Sequence, residues 1–114
     1  MTTGPKYRIQ KDDIDGSRLV TVSGEIDLAS APKLEEALVE EPDQTVIADL
    51  SDIGFIDSTG LRSLMTARDT ISEKGGRLML VFDEGPVERI LELTRLTDRF
   101  EIFATTESAA QAAE

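Results

Sequence analysis

The sequence contains no cysteine and no histidine. Without cysteine there is no disulfide framework and no thiol chemistry, which fits a cytoplasmic protein. Without histidine, a metal could be held only by oxygen ligands, and a nucleophile would need some other base. Positive charge is scarce as well: Lys+Arg is 12 against Asp+Glu 23, a net charge of -11. Nucleic acid and anionic membrane both demand clustered positive charge, so neither is expected as a direct partner. Long apolar runs are missing too. None approaches the ~20 residues that span a bilayer, and Met1-Thr-Thr-Gly-Pro-Lys6 lacks the apolar core of a signal peptide. The expectation is a cytoplasmic protein without membrane contact.

What remains is the composition of an ordinary soluble domain, with 39% hydrophobic and 31% charged residues. A length of 114 residues suits one core and not two, so 1–114 reads as a single domain with its core over about 6–113. The acidic surface favours solubility, and it also suits a basic protein partner.

Tyr7 to Lys11 alternates apolar and polar and predicts a strand with one exposed face. Asp15-Gly16 is a turn signal, and Arg18 to Glu25 is rich in β-formers, so the two runs should form a hairpin. Ser30 can cap a helix with Pro32 in its first turn; Leu34, Ala37 and Leu38 line one face, and Glu41-Pro42-Asp43 ends it. A third strand is expected over Thr45 to Leu50. Next comes a helix from about Ser58, carrying Leu61, Leu64, Met65 and Ile71, which Gly75-Gly76 stops after Lys74. Arg77 to Phe82 is a continuous apolar run and predicts a strand covered on both faces. Asp83 to Pro86 opens a third helix, with Val87, Ile90, Leu91 and Leu93-Thr94 in its pattern. Phe100, Ile102 and Phe103 suggest a short last strand, and Thr105 or Thr106 a cap for an Ala-rich helix through Ala113. The order β-β-α-β-α-β-α-β-α predicts an α/β fold: a mostly parallel sheet with an N-terminal hairpin, flanked by about four helices.

The chain is organised around Val46 to Leu61, where an apolar strand leads through Asp49-Leu50-Ser51-Asp52 to Asp57-Ser58-Thr59-Gly60 at the head of a helix. Either Ser58 or Asp57 has the chemistry of an N-cap, because its oxygen can accept from the free N–H groups of the first turn. Metal chemistry has little support. Asp27, Asp49, Asp52 and Asp57 could offer oxygens to an ion such as Mg²⁺, but acidic residues after strands more often serve as caps and solvated loop residues. Serine catalysis is also poorly supported. Ser58 has no histidine base, Leu61 stands where a Ser-x-x-Lys pair would need lysine, and Phe-Ile-Asp-Ser-Thr-Gly is not a nucleophile elbow. No glycine-rich run followed by Lys-Ser/Thr is present to hold a nucleotide. A phosphoacceptor serine fits better. Phosphate on Ser58 would sit at a helix N-terminus, where free N–H groups and the helix dipole accommodate it, yet its added charge would repel an acidic or apolar partner surface. The competing reading is that Ser58 serves only as the cap.

The stretch Asp49-Leu-Ser-Asp-Ile-Gly-Phe-Ile-Asp-Ser-Thr-Gly-Leu61 closely resembles the signature of bacterial anti-sigma factor antagonists, the small STAS-domain proteins. Gly24-Glu-Ile-Asp-Leu-Ala-Ser-Ala-Pro32 resembles the family's segment between second strand and first helix, and Arg89 to Leu96 with Phe100 to Phe103 resembles its C-terminal part. The resemblance covers nearly the whole chain. It implies a bacterial, cytoplasmic partner-switching regulator that is no enzyme and holds neither cofactor nor metal. The partner implied is an anti-sigma factor with GHKL-type serine/threonine kinase activity, bound in the unphosphorylated state so that a sigma factor is released. Phosphorylation of the matching serine, Ser58, would end binding, and a PP2C-type phosphatase would reset it. Carried over residue by residue, Glu25, Asp27 and Leu28 match the loop beside the acceptor. Asp57, Thr59, Gly60 and Leu61 match its flank and the start of the recognition helix. The same family also supplies unphosphorylated scaffold modules of stressosome-like assemblies, which stands as the alternative, and weak homodimerisation is left open.

Overall fold

The computed structural model describes residues 6–41 and 43–114. Met1 to Pro5, most of the stretch read for a signal peptide, and Pro42, expected to help stop the first helix, lie outside the described residues.

Strands β1 (Tyr7–Ile14) and β2 (Ser17–Ile26) form the expected hairpin. Asp15 and Gly16, with φ of 49° and 87°, make its two-residue turn, the left-handed pair that matches strand twist. Pairing runs from Tyr7↔Gly24 to Ile14↔Ser17, so β1 continues past Lys11 through two aspartates. The register set by the turn carries Asp12 and Asp13 into the ladder, and both remain exposed to water. Helix α1 (Ala31–Val39) follows, then β3 (Thr45–Ile56), α2 (Ser58–Glu73), β4 (Arg77–Val81) and α3 (Pro86–Thr94). After a single 3-10 turn at Thr97–Arg99, the described chain ends with β5 (Glu101–Phe103) and α4 (Thr106–Ala113).

The sheet order is β1-β2-β3-β4-β5, antiparallel between β1 and β2 and parallel thereafter. Strands β2 to β5 lie side by side in chain order, so right-handed crossovers bring α1, α2 and α3 to the same face. There Val20, Val22, Val46, Ala48 and Leu50 of the sheet meet Leu34 and Leu38 of α1, Leu64 and Ile71 of α2, and Leu91 of α3. The opposite face is served by α4, whose Ala109 and Ala110 pack on Ile47, Met79 and Val81. β4 is covered on both faces as its unbroken apolar run predicts, with Leu78 and Leu80 toward one layer and Met79 and Val81 toward the other.

Two expectations need correction. β3 does not stop at Leu50 but continues to Ile56. Its pairing with β2 steps from Thr21↔Asp49 to Ser23↔Asp52 and from Gly24↔Ile53 to Glu25↔Phe55, so each step carries one extra residue on β3. Such bulges bend and re-aim a strand. They keep Ile53 and Ile56 buried while exposing Ser51, Asp52, Gly54 and Phe55. Ser30 occupies the cap position of α1 but makes no side-chain cap bond. Its hydroxyl instead donates to the Glu25 carbonyl at 2.8 Å and accepts from the Asp27 N–H at 2.9 Å, tying the loop back onto β2. At α4 the cap is Thr105, whose Oγ1 accepts from the Ser108 N–H at 3.1 Å.

Candidate functional site

The site lies at the ends of β2 and β3, where the parallel pair Ile26↔Ile56 delivers two loops side by side. The backbone of Asp57 then donates to the Ile26 carbonyl at 3.3 Å, so the head of α2 is fastened to the loop leaving β2.

Asp57 is the N-cap of α2: its Oδ1 accepts from the N–H groups of Thr59 at 2.9 Å and Gly60 at 3.1 Å. Its backbone is extended (φ -111°, ψ -172°), the conformation from which a short carboxylate reaches the first turn. The sequence left the cap open between Asp57 and Ser58, and the geometry gives it to Asp57. Ser58 is the first helical residue and is exposed. Its hydroxyl is thus not spent on the cap and stands where the partial positive charge of the helix terminus is largest.

Gly60 is buried and has a packing reason. A Cβ there would lie 2.8 Å from Ile26 Cγ2 and from Ile56 Cγ1, and 3.2 Å from the Ile26 carbonyl oxygen. The missing side chain lets α2 settle against the ends of both strands. Leu61 is 6% exposed and belongs to the main core, and Thr59 is half-buried. Gly60 and Leu61 therefore shape the site from beneath and present little surface of their own.

The neighbouring loop is arranged by Asp27, whose Oδ1 accepts from the N–H groups of Ala29 at 3.0 Å and Ser30 at 3.3 Å. With the Ser30 hydroxyl fixed to Glu25, the loop holds Leu28 outward at 77% exposure. Phe55, on the bulged end of β3 opposite Glu25, is 48% exposed. Glu25 itself faces Lys6 across an exposed 4.0 Å ion pair. Glu25, Asp27, Leu28, Asp57 and Ser58 are thus brought to one end of the sheet.

Phe55 and Arg62 were not singled out from the sequence. Phe55 sits inside an apolar return that reads as core, and only the bulges turn it to water. Arg62 is exposed one helical turn after Ser58, at the i,i+4 spacing that makes helical neighbours. That spacing is the signal that could have found it. Among the described residues no group of three or more His, Cys, Asp or Glu side chains is placed to hold a metal ion. Among them, too, no helix is long and apolar enough to cross a membrane.

Comparison with known proteins places this geometry among relatives. The profile of the STAS domain matches residues 8–109. The anti-sigma-B factor antagonist of Bacillus subtilis (strain 168) is 35% identical over 96 residues, covering 81% of this chain and 86% of that protein. The crystal structure of an anti-sigma factor antagonist from Mycobacterium paratuberculosis superposes with a TM-score of 0.83 at 30% identity, over 98% of each chain. The Bacillus cell fate determinant SpoIIAA, solved in its phosphorylated form, shares the fold with a TM-score of 0.70 at 18% identity, over 94% of this chain and all of that one (100%).

Proposed function

The chain belongs to the STAS domain family, and from that membership we propose that it is an anti-sigma factor antagonist switched by phosphorylation of Ser58. In the unphosphorylated state it binds an anti-sigma factor that is also a GHKL-type serine/threonine kinase, and the sigma factor is released. Phosphorylation ends that binding, and a PP2C-type phosphatase restores it. The protein acts in the cytoplasm and catalyses nothing itself. The reading is supported by relatives named as anti-sigma factor antagonists over most of their length.

One observation carries the residue assignment: Asp57 holds the cap, and the exposed Ser58 hydroxyl beside it is free to react. In the transfer, Ser58 Oγ attacks the γ-phosphorus of ATP, the bond to the ADP leaving group breaks, and the hydroxyl proton passes to a base of the kinase. This chain contributes the nucleophile and its placement. The product would carry about -1.5 to -2 charges at neutral pH. Within the domain this charge meets the positive end of α2, with Arg62 one turn away. It shares that end of the sheet with the exposed apolar side chains Leu28 and Phe55 and the carboxylates Asp57, Asp27 and Glu25. A partner that covers Leu28 and Phe55 must strip water from a dianion, and an acidic one is repelled as well. The switch thus acts on binding and leaves the fold in place.

The test is a pull-down from native lysate with wild-type, Ser58→Ala and Ser58→Asp baits, and an intact-mass measurement on the recovered wild type. The expected result is an ATPase-domain protein captured by Ser58→Ala and lost with Ser58→Asp, and one added phosphate on wild type. Equal capture by all three baits without added phosphate would reject the switch and favour a STAS scaffold that is never phosphorylated.

A further inference from the structure

β1 is the terminal strand of the sheet, and among the described residues its outer edge pairs with nothing. An open edge is a template for another strand, which proteins commonly blunt with charge or proline. This edge carries charge of both signs in a definite order: Arg8, Gln10, Lys11, Asp12 and Asp13 are all exposed. We propose that β1 is a self-complementary docking edge for a second copy of the chain, paired antiparallel about a two-fold axis through Gln10.

The register follows from backbone geometry. In an antiparallel pair, residues directly opposite either both exchange hydrogen bonds or both point away. Two identical strands related by a two-fold meet this condition only when the axis passes through a residue, never between two. An axis at Lys11 sets that lysine against itself, and one at Asp12 does the same with a carboxylate; like charges directly opposite are destabilising. An axis at Ile9 shortens the overlap to Tyr7–Lys11. The axis at Gln10 keeps Tyr7 to Asp13 in the ladder, sets Arg8 opposite Asp12 twice, and lets the two Gln10 amides meet.

Side chains alternate between the faces, so the two Arg8–Asp12 pairs and the Gln10 pair share one face. On the other face Ile9 of each copy lies opposite Lys11 of its partner, and Tyr7 opposite Asp13. Tyr7 and Ile9 are half-buried against the helix-covered core of their own copy. Lys11 on that face is paired with Glu40 of its own α1 C-cap, so the contact across the axis rests on the backbone ladder and the Arg8–Asp12 pairs. The edge lies one strand from β2 and two from β3, and Asp57 and Ser58 follow β3 at the head of α2, so Ser58 of each copy lies away from the shared edge. The dimer does not depend on the phosphorylation reading. Each copy carries a net charge of -11, so association is expected to be weak and to require high protein concentration.

Sedimentation velocity over a concentration series, on the full chain, reads the equilibrium. The wild type is expected to dimerise reversibly, and Arg8→Asp or Asp12→Arg to weaken the dimer by about tenfold or more. The double variant Arg8→Asp/Asp12→Arg exchanges the charges across the axis and should restore it, an outcome that general surface damage would not give. Gln10→Cys supplies an independent reading, because opposed Cα atoms lie about 4.5–5.5 Å apart, within disulfide reach. The chain has no other cysteine, so an oxidised Gln10→Cys dimer reports that contact alone. Glu73→Cys, at the exposed end of α2, should stay uncrosslinked. A wild type that remains monomeric up to ~1 mM would overturn the proposal and leave the edge to solvent or to a strand of another protein. A dimer indifferent to Arg8→Asp, or not rescued by the double exchange, would overturn it too.

Discussion

Asp57 and Ser58 stand side by side at the head of α2, and their roles can be separated by mutation. Asp57→Ala removes the acceptor for two first-turn N–H groups and should cost about 0.5–2 kcal/mol in a denaturant melt. Ser58→Ala loses no cap and should stay within about 0.5 kcal/mol of wild type. Equal losses from the two substitutions would mean that the serine shares the capping. Gly60→Ala is a sharper case, because a methyl group would be pressed against Ile26 and Ile56. Overpacking of this kind costs about 1–3 kcal/mol against about 1 kcal/mol of gained helix propensity, so a net destabilisation is expected. The sequence narrowed the cap to two neighbouring residues but could not choose between them, since aspartate and serine cap about equally well. The choice depends on where the strand ends and how Asp57 is held to Ile26, which is a long-range fact.

At the level of elements, α4 is bound to the sheet by Arg77 at the start of β4. Its guanidinium grips both carboxylate oxygens of Glu101 on β5 and also donates to the Ala112 carbonyl of α4 at 3.0 Å. The hydrogen bonds from Arg77 outweigh partial burial and hold the Glu101 carboxyl below its ordinary pKa. A group depressed in the folded state adds stability above its unfolded pKa and loses it as the pH falls through the folded value. The stability advantage of wild type over Glu101→Gln should therefore be full at neutral pH. It should shrink as the pH drops below about 4.3, the ordinary glutamate value. Urea melts between neutral and acid pH check this; an advantage that grows on acidification would contradict it. Hairpin, crossover helices and the doubly covered β4 were legible because each rests on local periodicity and turn chemistry. The two bulges of β3 were not. Ser51 and Asp52 interrupt the alternation, and only pairing with β2 shows that the strand goes on through them. Leu28 was legible as a candidate, whereas the exposure of Phe55 depends wholly on those bulges.

On the scale of the whole molecule, the fold separates two surfaces. The carboxyl ends of β2 and β3 lead to Ser58, Leu28 and Phe55, and the amino-terminal hairpin presents a charged edge that pairs with no further strand among the described residues. The net acidity of the chain gave no hint of this division, since net charge bears on solubility and partners but not on their placement. Phosphoserine installed at position 58, compared with the unmodified chain, tests the switch most directly. Capture of the anti-sigma partner and melting temperature would be read from the same preparations. The partner should be lost while the melting temperature shifts by no more than about 2 °C, the scale of a few tenths of a kcal/mol in a domain of this size. Undiminished capture by the phosphorylated chain, or loss of capture only because the domain has unfolded, would contradict it.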